Sequence, residues 1–463
     1  MRLVALALCI LEVGWLFTLD RDRKSRPSSA LWLPVFWVAI AGSRMVSLWL
    51  GLAPSMDTAD KYLDGSPIDR IIFAALMVAA LAVLFGRGQR VVAILRGNWP
   101  ILLFFSYCAL SVVWSDYSGV AFKRWIKALG DLLMVLIVLT DRDPSAAIKR
   151  LVTRVGFLLL PLSVVLIKYF PALGRNFSVM GMPMSTGVTT QKNQLGMICL
   201  LLGLGSLWRF FEVYREPKGS HRKRQLLAHG TILLTVLWLF AMSNSMTSLT
   251  CFLLAGSLMW ATKLRAIIRR PGRVHLLVVA AVAVPLLVLF LHVGDEALEA
   301  MGRSATLTGR TDIWKLVLKV PGNRLIGTGF ESFWLGDRLE SIWGDTPRAR
   351  LNEAHNGYLE VLLNLGWIGV ALLGVLLVTG YRNAMAALRR DPDTGGLKLA
   401  YFLVAVIFSF TEAGFRMMTP VWIFFLWATI AVPGASASAP IRARRVAAPN
   451  KAGSQAALSL EQA

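Results

Sequence analysis

Between Leu276 and His292 the chain reads LLVVAAVAVPLLVLFLH, and from Gly357 to Gly380 it reads GYLEVLLNLGWIGVALLGVLLVTG. Each stretch is apolar over a length suited to crossing a bilayer, and each must be helical there because hydrocarbon offers the backbone N–H and C=O groups no partners. The loop that joins the two spans, 293–355, is 63 residues of nearly balanced charge, with Trp314, Phe330, Phe333, Trp334 and Trp343 among them. A connection of that length is usually functional or disordered, and its aromatic content argues for a small folded cap.

Similar apolar stretches recur outward in both directions through all 463 residues, from Leu3–Leu19 to Val421–Pro433, with Leu31–Ala53 and Ala128–Thr140 among them. A hydrophobic content of 56%, a charged content of 16% and a mean hydropathy of +0.59 exclude a soluble multidomain protein. The expected fold is all-α, a polytopic membrane bundle of about 12–13 transmembrane helices capped by one large periplasmic loop. Its parts are a first helical set in 1–292, the loop 293–355, a second helical set in 356–433 and a disordered cytoplasmic tail, 434–463. Cys9, Cys108, Cys199 and Cys251 all fall in apolar spans and read as packing residues.

A net charge of +22 raises nucleic-acid binding, and the placement of the charges decides against it. Basic clusters such as Arg21/Arg23/Lys24/Arg26, Arg87/Arg90/Arg96, Arg215/Lys218/Arg222 and Arg382/Arg389/Arg390 occupy every second loop. The positive-inside rule assigns those loops to the cytoplasm. The loops left outside are 293–355 and the one carrying Asp57, Asp60, Asp64 and Asp69.

Candidate chemistry therefore belongs on the outward side. Arg124, with Lys123 and Lys127, forms a short basic loop after Trp114-Ser115-Asp116, either an interfacial amphipathic segment or an anion-binding face. Lys192 and Asn193 stand at a helix start, where free N–H groups and the helix dipole attract an anion; the competing reading has Asn193 capping the helix and Lys192 snorkelling. The hydroxyls of Ser243-Asn244-Ser245-Met246-Thr247-Ser248 serve as caps or as ligands.

Arg310 lies within Thr308-Gly309-Arg310-Thr311-Asp312-Ile313-Trp314, and a guanidinium is suited to gripping a diphosphate through paired hydrogen bonds. His355 and Asn356 close the long loop in Glu353-Ala354-His355-Asn356-Gly357. Asn356 is placed to cap the next helix, whose dipole favours a neutral imidazole on His355, while Glu353 favours a charged one. His355 is the best-placed general base on that side. Arg44, Glu412 and Arg416 are charges within or at the ends of spans, paired or functional by default and possible partners of one another. Asp141/Asp143 and Asp391/Asp393 sit in cytoplasmic loops far from these candidates, so no metal is expected.

Taken together, the Thr308–Trp314 motif, His355-Asn356-Gly357-Tyr358-Leu359 and Leu363-Asn364-Leu365-Gly366-Trp367-Ile368-Gly369 resemble the O-antigen ligase and polymerase family of bacterial envelopes, in particular its exopolysaccharide-production branch. The resemblance extends over most of the chain, including Trp114-Ser115-Asp116 and Lys192-Asn193. It implies a GT-C-like membrane glycosyltransferase, without cofactor or metal, that moves a glycan from undecaprenyl diphosphate to an acceptor glycan or glycolipid on the periplasmic face. Carried over by position, His355 and Arg310 match the catalytic pair, and Lys192, Arg124, Asn193 and Asn356 are donor-binding candidates. This chain has Gln191-Lys192-Asn193 where that branch often has His-Lys-Asn, and Met246 where relatives often carry Lys or Arg. The second phosphate contact then falls to Lys192 or Arg124. The competing function is a polytopic transporter or flippase for lipid-linked glycans. Ligase and polymerase share the donor chemistry and are not separable from these residues.

Overall fold

The apolar stretches become helices in a computed structural model that describes residues 1–21, 27–53, 65–177, 181–290, 310–346 and 350–433. Six helices are long and apolar enough to cross a bilayer: Arg2–Leu19, Pro67–Phe85, Pro144–Tyr169, Lys192–Tyr214, Ser220–Ser243 and Gly357–Arg390. A seventh span results if Gly88–Gly97 and Trp99–Trp114, bent by 89°, are counted as one. Shorter apolar helices at Ser29–Ala41, Met246–Ala261, Pro271–Leu287 and Pro420–Thr429 join them, with Ser118–Leu139 and Pro392–Phe408. Among the described residues the sole sheet is a hairpin pairing Arg175–Phe177 with Pro183–Ser185. The protein is an all-α polytopic membrane bundle. Residues 291–309 of the long loop, including Thr308 and Gly309, the acidic Asp57, Asp60 and Asp64, and the tail 434–463 lie outside the described residues.

Three stretches differ from their sequence reading. Leu31–Ala53 is not one span: the helix Trp32–Ala41 stops at Gly42, and Val46–Trp49 forms a separate turn. Arg44, in the break, donates to the carbonyls of Thr189 and Leu173, which spares it solitary burial in the apolar layer. The basic segment around Arg124 is not a loop, because the helix Ser118–Leu139 runs straight through it. Lys127 follows Arg124 by three residues and Lys123 by four, a spacing that gathers the three on one side of a helix. Gly88–Gly97, with Arg90 and Arg96, likewise forms a helix rather than a loop.

Helix association in lipid depends on close packing and on satisfied polar groups rather than on hydrophobic expulsion. Trp37 packs against Gly130, where a Cβ would come within 2.1 Å of the indole. Its Nε1–H donates to Asp131 at 2.7 Å, and the Met418 amide donates to the same carboxylate at 2.9 Å. Asp131 thus joins three parts of the bundle, and its burial is made tolerable by these bonds.

The helix Gly357–Arg390 is broken at Gly366, whose φ of 66° and ψ of −168° belong to a region open essentially to glycine alone. Residues 324–329 of the long loop fill the break. Thr328 and Gly329 donate their N–H groups to the carbonyls of Leu363 and Asn364, while Arg324 and Leu325 accept from the N–H groups of Trp367 and Ile368. The loop thereby satisfies the backbone groups that the kink orphans. An alanine Cβ at 366 would lie 2.2 Å from the Leu325 carbonyl oxygen. Gly366→Ala is expected to destabilise the protein by about 3 kcal/mol or more. A thermal-unfolding midpoint of detergent-purified Gly366→Ala equal to wild type would contradict this account of the kink.

The described part of the long loop forms two further helices, Arg310–Lys319 and Gly336–Asp345. Val317, Phe333, Trp334, Leu339, Ile342 and Ala354 bury one another in a cluster of their own beside the main core. The cap is tied down at both sides. Arg338 pairs with Asp116 at 2.7 Å, and Ser332 shares a hydroxyl hydrogen bond with Ser115 at 2.7 Å. Trp334 donates to the Glu360 carboxylate, which also accepts from the Ala354 amide at 2.6 Å. Glu360, 2% exposed, holds the end of the loop onto the helix it leads into.

Candidate active site

His355 owes its position to the residues on either side of it. The Asn356 side-chain oxygen accepts from the N–H groups of Tyr358 and Leu359 at 3.0 Å, so it caps the helix Gly357–Arg390. Its amide donates to the Phe410 carbonyl at 3.2 Å, and the Gly357 N–H donates to the carbonyls of Ser409 and Glu412. The helix start is thus docked onto the segment after Pro392–Phe408, and His355, at a left-handed φ of 49°, turns its ring toward Glu412.

Arg310 reaches the same carboxylate from the cap. The helix it opens is anchored by Trp314, whose indole donates to the Ala354 carbonyl at 2.9 Å, one residue before His355. The Arg310 guanidinium lies 2.5 Å from Glu412 Oε1, and the His355 Nδ1 lies 3.4 Å from Glu412 Oε2. Asn193 donates to Oε1 as well, at 2.8 Å. Glu412 therefore gathers Asn193, Arg310 and His355 around one buried carboxylate.

A second layer continues the alternation of charge. His355 Nδ1 is 2.9 Å from Glu353 Oε1; Glu353 Oε2 is 3.7 Å from Arg416; and Arg416 grips Glu331 through Nε and Nη2 at 3.1 and 2.9 Å. Arg124 donates to the Glu331 carbonyl. Arg416 and Glu412 are therefore not direct partners; they are linked through Glu353 and His355. Below them, Phe104, Phe105, Phe330, Phe415 and Trp422 line a cavity of about 30 Å³ into which Glu331, Glu360 and Arg416 also face.

The electrostatics of His355 follow from this arrangement. Burial alone would lower its pKa, but the hydrogen bonds and charges of Glu353 and Glu412 outweigh that and push it up to about 10. Burial raises Glu353, and His355 with Arg416 and Arg310 outweighs it in turn, holding that carboxyl below its usual range. The competition between helix dipole and carboxylate is won by the carboxylates, and the resting ring is an imidazolium. Because the folded pKa lies above the unfolded value of 6.5, the stabilisation is fully present below that pH. It is lost as the pH rises through about 10.

The other candidates fall around this centre. Lys192 is the first residue of its helix, next to Asn193, and makes no hydrogen bond or ion pair with the described residues. Asn193 is not the cap, since Gln191 holds that position without a side-chain bond. Asn356 is committed to capping, and Arg124 to the backbone of Glu331. The turn at Ser243–Ser248 packs on the same helix start: a Cβ at Gly196 would meet Ser245 at 2.6 Å, and Thr247 bonds Thr411 at 3.3 Å. Glu353 was read from sequence as the neighbour favouring a charged His355, whereas Glu331 was not singled out. The signal for Glu353 was an acid two residues before the histidine; Glu331 carried none.

One ligand atom each from Glu353, His355 and Glu412 lies within 4.8 Å of the others, a spacing compatible with a metal ion. An ion there would have to displace the His355 proton and compete with the Arg310 guanidinium. We read the cluster as an ion-pair network.

Comparison with known proteins bears on this geometry. Residues 230–374 match the O-antigen ligase family model. That segment runs from within the helix Ser220–Ser243 through the cap and past the Gly366 break, and includes Arg310, Glu331, Glu353 and His355. The chain is also 25% identical over 310 residues to the exopolysaccharide production protein ExoQ of Rhizobium meliloti (strain 1021), covering 64% of this chain and 67% of the relative. The chain is similar to the O-antigen ligase family over this segment. It is a multi-pass membrane protein whose similarities lie with O-antigen ligase-type proteins and with a relative named for exopolysaccharide production. Asn193, Glu412 and Arg416, which complete the cluster, lie outside the matched segment.

Proposed function

We propose that this O-antigen ligase-type protein transfers a glycan from undecaprenyl diphosphate to an acceptor sugar at the periplasmic face of the inner membrane, by a metal-independent GT-C-like reaction. The observation that carries the reading is the meeting of Arg310 and His355 on opposite oxygens of Glu412. As the bond from sugar C1 to the diphosphate breaks, negative charge accumulates on the leaving phosphate. A fixed guanidinium stabilises that charge more in the transition state than in the ground state. The acceptor hydroxyl attacks C1 from the opposite side and must lose its proton. His355 has its Nδ1 held by two carboxylates, while Nε2 makes no hydrogen bond with the described residues; once the imidazolium has released its Nε2 proton to solvent, Nε2 of the neutral ring is the atom that would take the acceptor proton. Lys192, beside Asn193 at an uncapped helix start, supplies the second phosphate contact.

The test is purified protein in liposomes with a lipid-linked oligosaccharide donor and an acceptor glycan, without an ion gradient and with EDTA present. Covalent transfer at an undiminished rate is the expected result. Movement of the lipid-linked glycan across the bilayer without covalent change would replace this reading with transport, and loss of transfer on chelation would replace its metal-independent part. The glycan left on lipid after gene deletion separates the two acceptors: single repeat units point to a polymerase, long chains to a ligase.

A further inference from the structure

We propose that Glu412 is a positioning residue for the transfer, holding the Arg310 guanidinium and the His355 ring in one frame and competing with the donor diphosphate for Arg310. The inference rests on the reading above and concerns a residue outside the matched family segment.

Glu412 is 7% exposed, and both its oxygens are engaged. Oε1 takes the Arg310 guanidinium at 2.5 Å and the Asn193 amide at 2.8 Å; Oε2 faces His355 Nδ1 at 3.4 Å. Its own backbone is fixed, because the Glu412 carbonyl accepts from Gly357 N–H at 3.0 Å. The groups that face it are Arg310 from the cap, His355 and, through it, Glu353 at the loop end, and Asn193 with Lys192 next to it at the helix start. Thr247 bonds the neighbouring Thr411. Arg416 is reached only through Glu353.

A diphosphate arriving at Arg310 meets a cation already neutralised by a carboxylate. Two anions cannot share one guanidinium at full strength, so the diphosphate draws Arg310 from Oε1. Glu412 then keeps His355 as its remaining cationic partner, and its attraction for the imidazolium grows. Donor binding therefore strengthens the base that acts next, a coupling between two sites through one side chain. Burial of the carboxylate sharpens the exchange, since the competition takes place away from bulk water.

The test uses full-length protein in nanodiscs, with undecaprenyl diphosphate as the probe for binding and the liposome assay for turnover. Glu412→Gln keeps the shape and removes the charge. The expected result is roughly tenfold tighter binding of undecaprenyl diphosphate, a lower kcat on the high-pH plateau, where the base is fully neutral in both proteins, and a shift of the acid limb of the pH–rate profile to lower pH. Binding weakened together with kcat, or an unmoved pH profile, overturns the proposal. If Glu412→Gln does not fold, Glu412→Asp serves: it retains the charge but withdraws it by one methylene. A fall in kcat with tighter or unchanged binding supports the role, and wild-type kinetics refute it. Wild-type binding and tightening in Glu412→Gln without any glycan transfer would leave the clamp standing and remove the transferase reading; absence of binding by wild type removes both.

Discussion

Glycan transfer by His355→Ala is expected to fall by about 10²–10⁴-fold, the range for loss of a positioned general base. The variant should still insert and elute as wild type, because Asn356, not His355, caps the helix and the cap is anchored by Arg338, Trp314 and Glu360. The pH dependence distinguishes a base from a bystander. With its pKa near 10, His355 is neutral in about one molecule in a thousand at pH 7, so kcat/KM of the wild type should climb with pH, about tenfold per unit, until it levels near pH 10. The residual rate of His355→Ala should lack that limb. Wild-type rates that stay level between about pH 6 and about pH 9 would remove His355 from the base role.

Arg310→Ala should lower kcat by about 10²–10³-fold, the cost of removing one preorganised donor to a developing anion. Arg310→Lys should recover part of the rate, because it restores the charge but not the paired N–H geometry. The alanine variant also leaves Glu412 without its guanidinium, with Asn193 and His355 still bound to it. The His355 limb should then move to higher pH, the reverse of the shift expected for Glu412→Gln. Initial rates of the three proteins across pH, measured in the same liposomes, check both signs at once. Equal kcat in wild type and Arg310→Ala would show that the guanidinium does not meet the leaving group.

Much of the fold was legible because it rests on a local constraint. Apolar runs such as those within Pro144–Tyr169 or Lys192–Tyr214 must be helical in lipid whatever surrounds them. The reading failed where polar residues broke or extended that rule. Arg44 is tolerated in a break inside a hydrophobic stretch because carbonyls from distant parts of the chain are there to receive it. Arg124 proved helical, inside the continuous helix Ser118–Leu139, which places Lys123, Arg124 and Lys127 on one face. The Gly366 break was likewise hidden, since only the insertion of residues 324–329 makes it tolerable. Arg310 and His355 were legible as residue types in a motif, but not what they touch.

By itself the sequence determined a lipid-embedded helical protein with a long aromatic loop, because the bilayer imposes helix on each apolar run independently of the others. Which charges meet was decided by the tertiary structure alone. Asn193, Arg310 and His355 stand 219, 102 and 57 residues from Glu412, and no local rule relates positions so far apart. They converge because a buried carboxylate must be surrounded by donors, and the docking of the cap and of the Gly357 helix onto residues 409–412 brings those donors to it.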